Sequence, residues 1–290
     1  MTVAIRRVLI ANRGEIALRI IHAAQALGME TVLATSQADR DSLPARMADR
    51  ALCIGPAQSS ESYLKIDALL TAALESGCDA LHPGYGFLAE SEQLAEACAR
   101  EGIIFVGPTP DQILRMGNKL EARALARQAG VPMLPGSEKV NDFEQAMTIA
   151  DGIGYPVMLK AAAGGGGRGM KIVPRREDMQ RLFAAASGES RAAFGDDTLY
   201  LERYISNARH VEVQILGDSH GHVIHLGERD CSLQRRHQKV VEESPAPLLS
   251  EALRQSIRDA ALKLGRGIAY QNAGTVEFIV DGDKIGRAHV

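Results

Sequence analysis

The chain is expected to fold as an α/β domain on a parallel sheet followed by an α+β domain dominated by antiparallel strands. Three observations carry this. Over the first 115 residues, apolar strand-like runs alternate with helix-like segments, the rhythm of βαβ units whose helices cover both faces of a parallel sheet. From Leu199 onward, two-residue alternation and short turns take over, as in an antiparallel sheet with one buried face. Between the two styles, Ala163-Gly164-Gly165-Gly166-Gly167-Arg168-Gly169 separates two apolar runs. The division is placed at residues 1–115 and 116–290.

Val8-Leu9-Ile10-Ala11 reads as a buried strand, turned by Asn12-Arg13-Gly14. Residues 15–27 set Ile16, Ile20, Ala23 and Leu27 on one helical face, with Gly28 where a C-cap belongs. A strand at 31–34 follows, then helices at 63–75 and 90–100 and short strands at 80–82 and 103–106. One helical stretch, 111–128, leads out and ends at Gly130-Val131-Pro132. A helix at 142–150, strands on either side of the glycines and a helix at 177–186 come next. Val211, Val213 and Ile215 face a core while His210, Glu212 and Gln214 face the other way. Gly217-Asp218-Ser219-His220-Gly221 turns the chain into a returning strand at 223–226.

The last strand, 275–280, enters the hairpin turn Asp281-Gly282-Asp283. Lys284 and Ile285-Gly286-Arg287-Ala288-His289-Val290 then fail to alternate. The same hexapeptide is encoded in one frame by common sequencing-adapter DNA (ATC GGA AGA GCA CAC GTC). The natural polypeptide is therefore expected to continue here, and the strand near Val280 to present an unpaired, aggregation-prone edge.

A net charge of −3 over 290 residues argues against nucleic acid as the main partner. No apolar run approaches the roughly 20 residues that span a bilayer, and the N-terminus has no signal-peptide h-region. The four cysteines, Cys53, Cys78, Cys98 and Cys231, are far apart without metal-ligand spacing. They read as free thiols of a reducing cytoplasm.

Glycine backbone can fold closely over a phosphate and aim N–H donors at it. The run lacks the GxxxxGK[ST] pattern, so it is not a P-loop. It reads as a flap between two strands, with Lys160 placing a cation at its hinge; a surface linker is the plain alternative. Asp230-Cys231-Ser232-Leu233-Gln234-Arg235-Arg236-His237-Gln238-Lys239 gathers cationic groups into what reads as one loop, either a solvated basic loop or a site for a small anion. Glu277 is the only carboxylate inside the last strand. It is a solvent-facing glutamate or a Mg²⁺ ligand, since phosphate-bound Mg²⁺ takes one or two carboxylates. His210 and Lys119 each have an ordinary structural reading. Together, two lysines, a glycine flap, a basic segment and a strand glutamate are the parts of a Mg–ATP site. They suit phosphoryl transfer by positioning and charge neutralisation.

Ile10-Ala11-Asn12-Arg13-Gly14-Glu15-Ile16-Ala17, His82-Pro83-Gly84-Tyr85-Gly86-Phe87-Leu88, Lys160 with its glycine loop, and Glu228-Arg229-Asp230-Cys231-Ser232-Leu233-Gln234-Arg235-Arg236-His237-Gln238-Lys239 closely resemble biotin carboxylase. This is the ATP-grasp component of biotin-dependent acyl-CoA and pyruvate carboxylases. The resemblance runs from about Val8 to Lys284. It implies an N-terminal Rossmann-like (pre-ATP-grasp) domain, then an incomplete ATP-grasp domain with a glycine-rich lid at about 132–203. The implied reaction phosphorylates bicarbonate with ATP to carboxyphosphate, then moves the carboxyl group to N1′ of biotin on a carrier.

The resemblance further implies that Lys119 and Lys160 contact ATP phosphates beneath a flap containing Gly166 and Gly167. Glu202, Arg203, Tyr204 and Ile205 would line the adenine pocket. His210, Gln234 and His237 would lie along the nucleotide, His237 also serving catalysis. Lys239 would hold bicarbonate, and Glu277 would bind Mg²⁺ or Mn²⁺. Ala163 stands where the family often has a fifth glycine. The implied partners are a biotin carboxyl carrier domain or protein, a carboxyltransferase and a second copy in a homodimer, with no nucleic acid or membrane involved.

The family's second metal-binding glutamate, its metal-binding asparagine, a catalytic arginine, a glutamate base and a biotin-contacting arginine would all follow Asp283. None has a counterpart in Lys284–Val290, so these 290 residues are expected to bind ATP without completing the reaction. A non-catalytic nucleotide-binding module is thus a second reading. A third, an NAD(P) oxidoreductase, rests on Gly84-Tyr85-Gly86-Phe87-Leu88-Ala89, a G-x-G-x-x-A match. It is weak: the first βα turn, where that fingerprint belongs, has only Gly14.

Overall fold

A computed structural model describes residues 4–140, 142–162, 169–235, 238–282 and 284–289. The chain divides into two compact units, Met1–Leu114 and Arg115–Val290.

The first unit runs β1 (Arg7–Ile10), α1 (Gly14–Ala26), β2 (Glu30–Ser36), α2 (Leu43–Met47), β3 (Arg50–Gly55), α3 (Ile66–Glu75), β4 (Ala80–His82), α4 (Glu92–Arg100) and β5 (Ile104–Phe105). Its sheet has the order β3-β2-β1-β4-β5, and every pairing is parallel. Neighbouring strand residues point to opposite faces. Leu9, Val32 and Leu81 pack with Leu69 and Ala73 of α3 and Leu94 and Cys98 of α4. Ile10 and Leu33 pack on the other face with Ala17, Ile20 and Ile21 of α1. Both faces are covered, as the βαβ rhythm requires.

Several details depart from the sequence reading, the short helix α2 among them. β3 is an additional strand at the sheet edge, overlooked although Ala51-Leu52-Cys53-Ile54 is a short apolar run. The helix expected from residue 63 starts at Ile66. Tyr63 is instead buried in the preceding turn, where its hydroxyl accepts from Ser36 N–H (2.9 Å), donates to Asp39 (2.8 Å), and its ring stacks on Phe87.

The unit boundary falls within α5 (Pro110–Gly117). Then come α6 (Lys119–Gln128), α7 (Phe143–Ile153), β6 (Val157–Ala161), β7 (Lys171–Val173), α8 (Met179–Phe194), β8 (Leu199–Arg203), β9 (Arg209–Gly217), β10 (Val223–Arg235), β11 (Gln238–Glu243), α9 (Glu251–Gly267), β12 (Asn272–Asp281) and β13 (Lys284–His289). The single helix expected at 111–128 is two. The Asn118 side-chain oxygen accepts from Leu120 N–H (3.0 Å) and Glu121 N–H (3.2 Å), and this N-cap starts α6 afresh.

A small antiparallel sheet, β7-β6-β8, packs Val157, Leu159, Val173 and Leu201 against Ala146 of α7 and Met179 and Ala186 of α8. A larger antiparallel sheet has the order β11-β10-β9-β12-β13. Val211, Val213 and Ile215 of β9 and Val276, Phe278 and Val280 of β12 pack on Leu253, Ile257, Ala260 and Leu264 of α9. The sequence reading overlooked α9, although those apolar residues carry its helical spacing. Arg254 and Arg258, one turn apart on α9, pair with the buried Glu228 carboxylate of β10; Arg258 Nε lies at 2.8 Å.

Two expectations are corrected here. The described part of the basic segment is not a loop. Residues 230–235 end β10 and residues 238–239 begin β11, and the two strands pair antiparallel with Gln234 opposite Lys239. Nor is Val280 on an unpaired edge. β13 pairs antiparallel with β12, Val280 lies opposite Ile285, and Val280 is buried. Ladder hydrogen bonds come from backbone alone, so poor side-chain alternation does not prevent the pairing.

A Cβ added at Gly217 would fall 1.8 Å from the Tyr270 carbonyl oxygen, backbone that cannot swing aside. Gly217→Ala is expected to destabilise the protein by about 1–3 kcal/mol, read as a lower urea midpoint at unchanged m-value.

Candidate functional site

The large sheet carries the first cluster on the side away from α9. There β9 presents His210, Glu212 and Gln214. Glu212 lies directly opposite Glu277 of β12. Two facing carboxylates repel, and Lys239 of β11 relieves it: its ammonium donates to Glu212 and to Glu277 Oε1 (2.6 Å). Arg229 Nε donates to the other oxygen of Glu212 (2.6 Å), and its two terminal nitrogens reach Gln214 Oε1 (3.1 Å each). The Glu212 side chain is 3% exposed, against 47% for Glu277. Glu212 is the fixed partner of the lysine, Glu277 the accessible one.

Burial alone would lower the Lys239 pKa. The hydrogen bonds to Glu212 and Glu277 outweigh it and hold the ammonium above the ordinary lysine range. Burial pushes the Cys231 thiol up to about 12, opposed by Lys239 and reinforced by Glu212, Glu277 and Glu242. A thiol so placed stays protonated and is no nucleophile. Ligand atoms of Glu212, Cys231 and Glu242 lie within 4.8 Å of one another. With Glu212 neutralised by two cations and the thiol protonated, that group does not suit a metal ion. Burial acts to raise the pKa of Asp230 as well, but hydrogen bonds from Ser232 and Arg209 outweigh it and leave the carboxyl below its ordinary value.

The small sheet carries the second cluster. Lys160 of β6 donates to Glu202 Oε2 of β8 (2.7 Å), and Glu202 also pairs with Arg123 of α6. Arg203 is exposed, and its N–H donates to Pro135 O (2.9 Å). Tyr204 N–H donates to Pro156 O (3.0 Å), and Tyr204 and Ile205 are half-buried where the chain leaves β8.

The structure thus brings Lys239 together with Glu277, and Lys160 with Glu202. It sets His210 two residues before Glu212 on β9, and Gln234, whose amide donates to Cys231 O (3.0 Å), beside Lys239. Gly166, Gly167 and His237 lie outside the described residues, as does the Lys119 side chain; its backbone is the first residue of α6. Sequence reading missed Arg123, Glu212 and Arg229 as site residues. Alternation placed Glu212 on the polar face, but burial of a carboxylate leaves no mark in a one-dimensional pattern. The Gly84–Ala89 motif follows β4 but opens no helix, since α4 begins at Glu92. Asn12 instead clamps that turn by donating to Pro83 O (2.7 Å) and Tyr85 O (2.8 Å). This removes the helix N-terminus that a dinucleotide pyrophosphate needs.

Residues 4–113 match the family model for the biotin carboxylase N-terminal domain, and residues 118–286 match that for the carbamoyl-phosphate synthase L chain ATP binding domain. The chain is 53% identical over 280 residues to biotin carboxylase of Halalkalibacterium halodurans and 50% identical over 278 residues to biotin carboxylase 1 of Bacillus subtilis. Each alignment covers 96% of this chain and 62% of the relative. The chain therefore spans about 62% of the length of the curated relatives it matches. A Campylobacter jejuni biotin carboxylase in complex with β,γ-ATP superposes with a TM-score of 0.94 at 48% identity, over 99% of this chain and 65% of that one. The biotin carboxylase domain dimer of Hydrogenobacter thermophilus 2-oxoglutarate carboxylase, with MgADP, ADP and bicarbonate, gives 0.91 at 45% identity, over 97% and 62%.

Lys239→Met would leave Glu212 and Glu277 facing one another and is expected to destabilise the protein by about 3 kcal/mol near neutral pH. Because the folded-state pKa is raised, the lysine's contribution is complete below the ordinary lysine value and is lost only as pH climbs through the higher folded one. Urea unfolding from pH 7 to 11 should show the wild-type advantage over Lys239→Met persisting to about pH 10 and shrinking only above it.

Proposed function

The chain belongs to the biotin carboxylase family, and on that footing we propose that it binds Mg–ATP and bicarbonate for the carboxylation of biotin. The observation that carries this reading is the Lys239 ammonium held between a buried and an accessible carboxylate. A small anion needs a fixed point charge. Glu212 keeps that charge in place whether or not Glu277 is engaged elsewhere.

In this reading bicarbonate sits against Lys239, and Lys119 and Lys160 neutralise the triphosphate. Gly166 and Gly167 cover it, while Glu202, Arg203, Tyr204 and Ile205 form the adenine wall at the exit of β8. His210, Gln234 and His237 line the nucleotide. Glu277 offers a hard oxygen donor on a half-exposed strand position, which fits Mg²⁺ or Mn²⁺. The metal, when bound, supplies charge neutralisation on the phosphates. What the chain's own residues contribute is orientation and charge. Lys239 would hold bicarbonate so that its oxygen attacks the terminal phosphoryl group, displacing ADP and giving carboxyphosphate, and would stay beside it as the carboxyl group passes to biotin N1′, which loses its proton, and phosphate leaves. Segment 132–203, which carries the small sheet, would act as the lid.

We further propose that the chain's partners are a biotin carrier domain or protein and a carboxyltransferase, and that it pairs with a second copy. The Hydrogenobacter thermophilus relative is described as a dimer. The free cysteines suit a cytoplasmic protein, and no helix among the described residues is long and apolar enough to cross a membrane. Lys284–Val290 holds no acid or amide side chain to stand for those that the family resemblance assigns beyond Asp283. These 290 residues are therefore proposed to bind the nucleotide without completing carboxylation. Loss of part of a charge-stabilising unit commonly lowers turnover by about 10²–10³-fold per group.

Calorimetry should show Mg–ATP binding to the 290-residue protein, weakened roughly tenfold or more by Lys160→Met. No heat with millimolar Mg–ATP would sink the reading. Incubation with ATP, Mg²⁺, ¹⁴C-bicarbonate and free biotin should yield no N-carboxybiotin; its appearance would show the 290 residues to be catalytically sufficient.

A further inference from the structure

We infer that Arg123 is a positioning residue for Lys160, acting through Glu202, and that it allows the lysine to leave the protein for a phosphate. This rests on the proposed reading in which Lys160 meets the nucleotide. Glu202 is 1% exposed and Arg123 is 5% exposed, so water does little to stabilise either charge. Arg123 Nη1 pairs with Glu202 Oε1, while Lys160 Nζ holds Glu202 Oε2 at 2.7 Å. One buried carboxylate is thus shared by two cations of different character. The guanidinium is anchored: its carbon lies 5.8 Å from the centre of the Tyr200 ring, and it projects from the middle of α6. The lysine sits at the end of a flexible stem and is the less buried of the two.

A buried carboxylate that loses its counter-charge is strongly destabilised. Were Lys160 the carboxylate's main support, moving it to a triphosphate would strand Glu202, and nucleotide affinity would suffer by that amount. With Arg123 fixed on the opposite oxygen, the carboxylate stays paired as the lysine transfers. Arg123 therefore sets how readily Lys160 is given up.

The backbone is shaped for this pair. Gly136 bridges to Glu202 beside β8. A Cβ there would fall 2.8 Å from Arg123 Nη2, 2.8 Å from Leu201 O and 3.2 Å from Glu202 Cγ. Ser137 locks the approach: its N–H donates to Leu201 O, and its hydroxyl accepts from Leu201 N–H, both at 2.8 Å. The glycine makes room for the guanidinium to lie against the carboxylate.

The test compares Mg–ATP and adenosine binding by calorimetry for wild type, Arg123→Met, Gly136→Ala, Glu202→Gln and Arg123→Met/Glu202→Gln, with folding checked by circular dichroism. Wild type that binds no Mg–ATP refutes the functional reading itself. Given wild-type binding, Arg123→Met and Gly136→Ala should each weaken Mg–ATP roughly tenfold or more and leave adenosine within about twofold. Glu202→Gln alone sets the baseline for any loss at the adenine wall; with no buried charge to retain Lys160, adding Arg123→Met to it should weaken Mg–ATP by no more than about twofold. A merely structural role would weaken both ligands alike and leave the double variant weaker than Glu202→Gln alone. Arg123→Met binding Mg–ATP like wild type, or a folded double variant more than about twofold weaker than Glu202→Gln alone, overturns the inference. Should Arg123→Met fail to fold, Gly136→Ala and the double variant decide it by the same criteria.

Discussion

Everything in the larger sheet's polar face turns on one electrostatic problem. Glu212 and Glu277 project from directly opposed positions on adjacent strands, where like charges repel. The lysine that resolves it comes from the outermost strand, β11, so the strand order β11-β10-β9-β12 must be right before the charges balance. Arg229 holds the buried carboxylate from the other side. The result is a cation whose position is fixed by packing while one of its two partners remains open to solvent.

The same device recurs in the smaller sheet and behind the larger one. Glu202 is shared by Arg123 and Lys160, and Glu228 by Arg254 and Arg258. Each of these buried glutamates has more than one cation. A single buried pair is poor support, because losing either member strands the other. Around Glu228 the arrangement ties α9 to β10. Around Glu202 and Glu212 it holds the ammonium groups of Lys160 and Lys239 in place. The three clusters are thus drawn from one pattern, distinguished by whether the second cation is an arginine or a lysine.

Much of this was legible in the sequence because it depends on period. Leu9 and Ile10 on opposite faces of β1, and Val211, Val213 and Ile215 on one face of β9, follow directly from alternation. Lys160 and Glu277 stood out as charges beside or inside apolar runs, and Lys239 as part of a cluster of cations. What escaped depends on partners far along the chain. Arg123 sits among alanines on α6 and meets Glu202 only through the fold, 79 residues away. The break at Asn118 escaped because a side-chain cap competes with helix continuation without disturbing the apolar spacing. The 230–239 segment read as a loop because its cations hid the strand pairing on either side of it.

The placement of β12 between β9 and β13 has a bearing on fidelity of assembly. An interior strand is gripped along both margins, and its residues alternate between α9 and the acidic face. Were β12 to slide by one position, Glu277 would turn into the aliphatic layer under α9 and Phe278 would emerge beside Lys239, since a single step inverts every side chain. Misthreaded copies would thus carry an ionised group in oil and an aromatic ring in water. Correct alignment of this strand is enforced by the very residues that give the acidic face its chemistry.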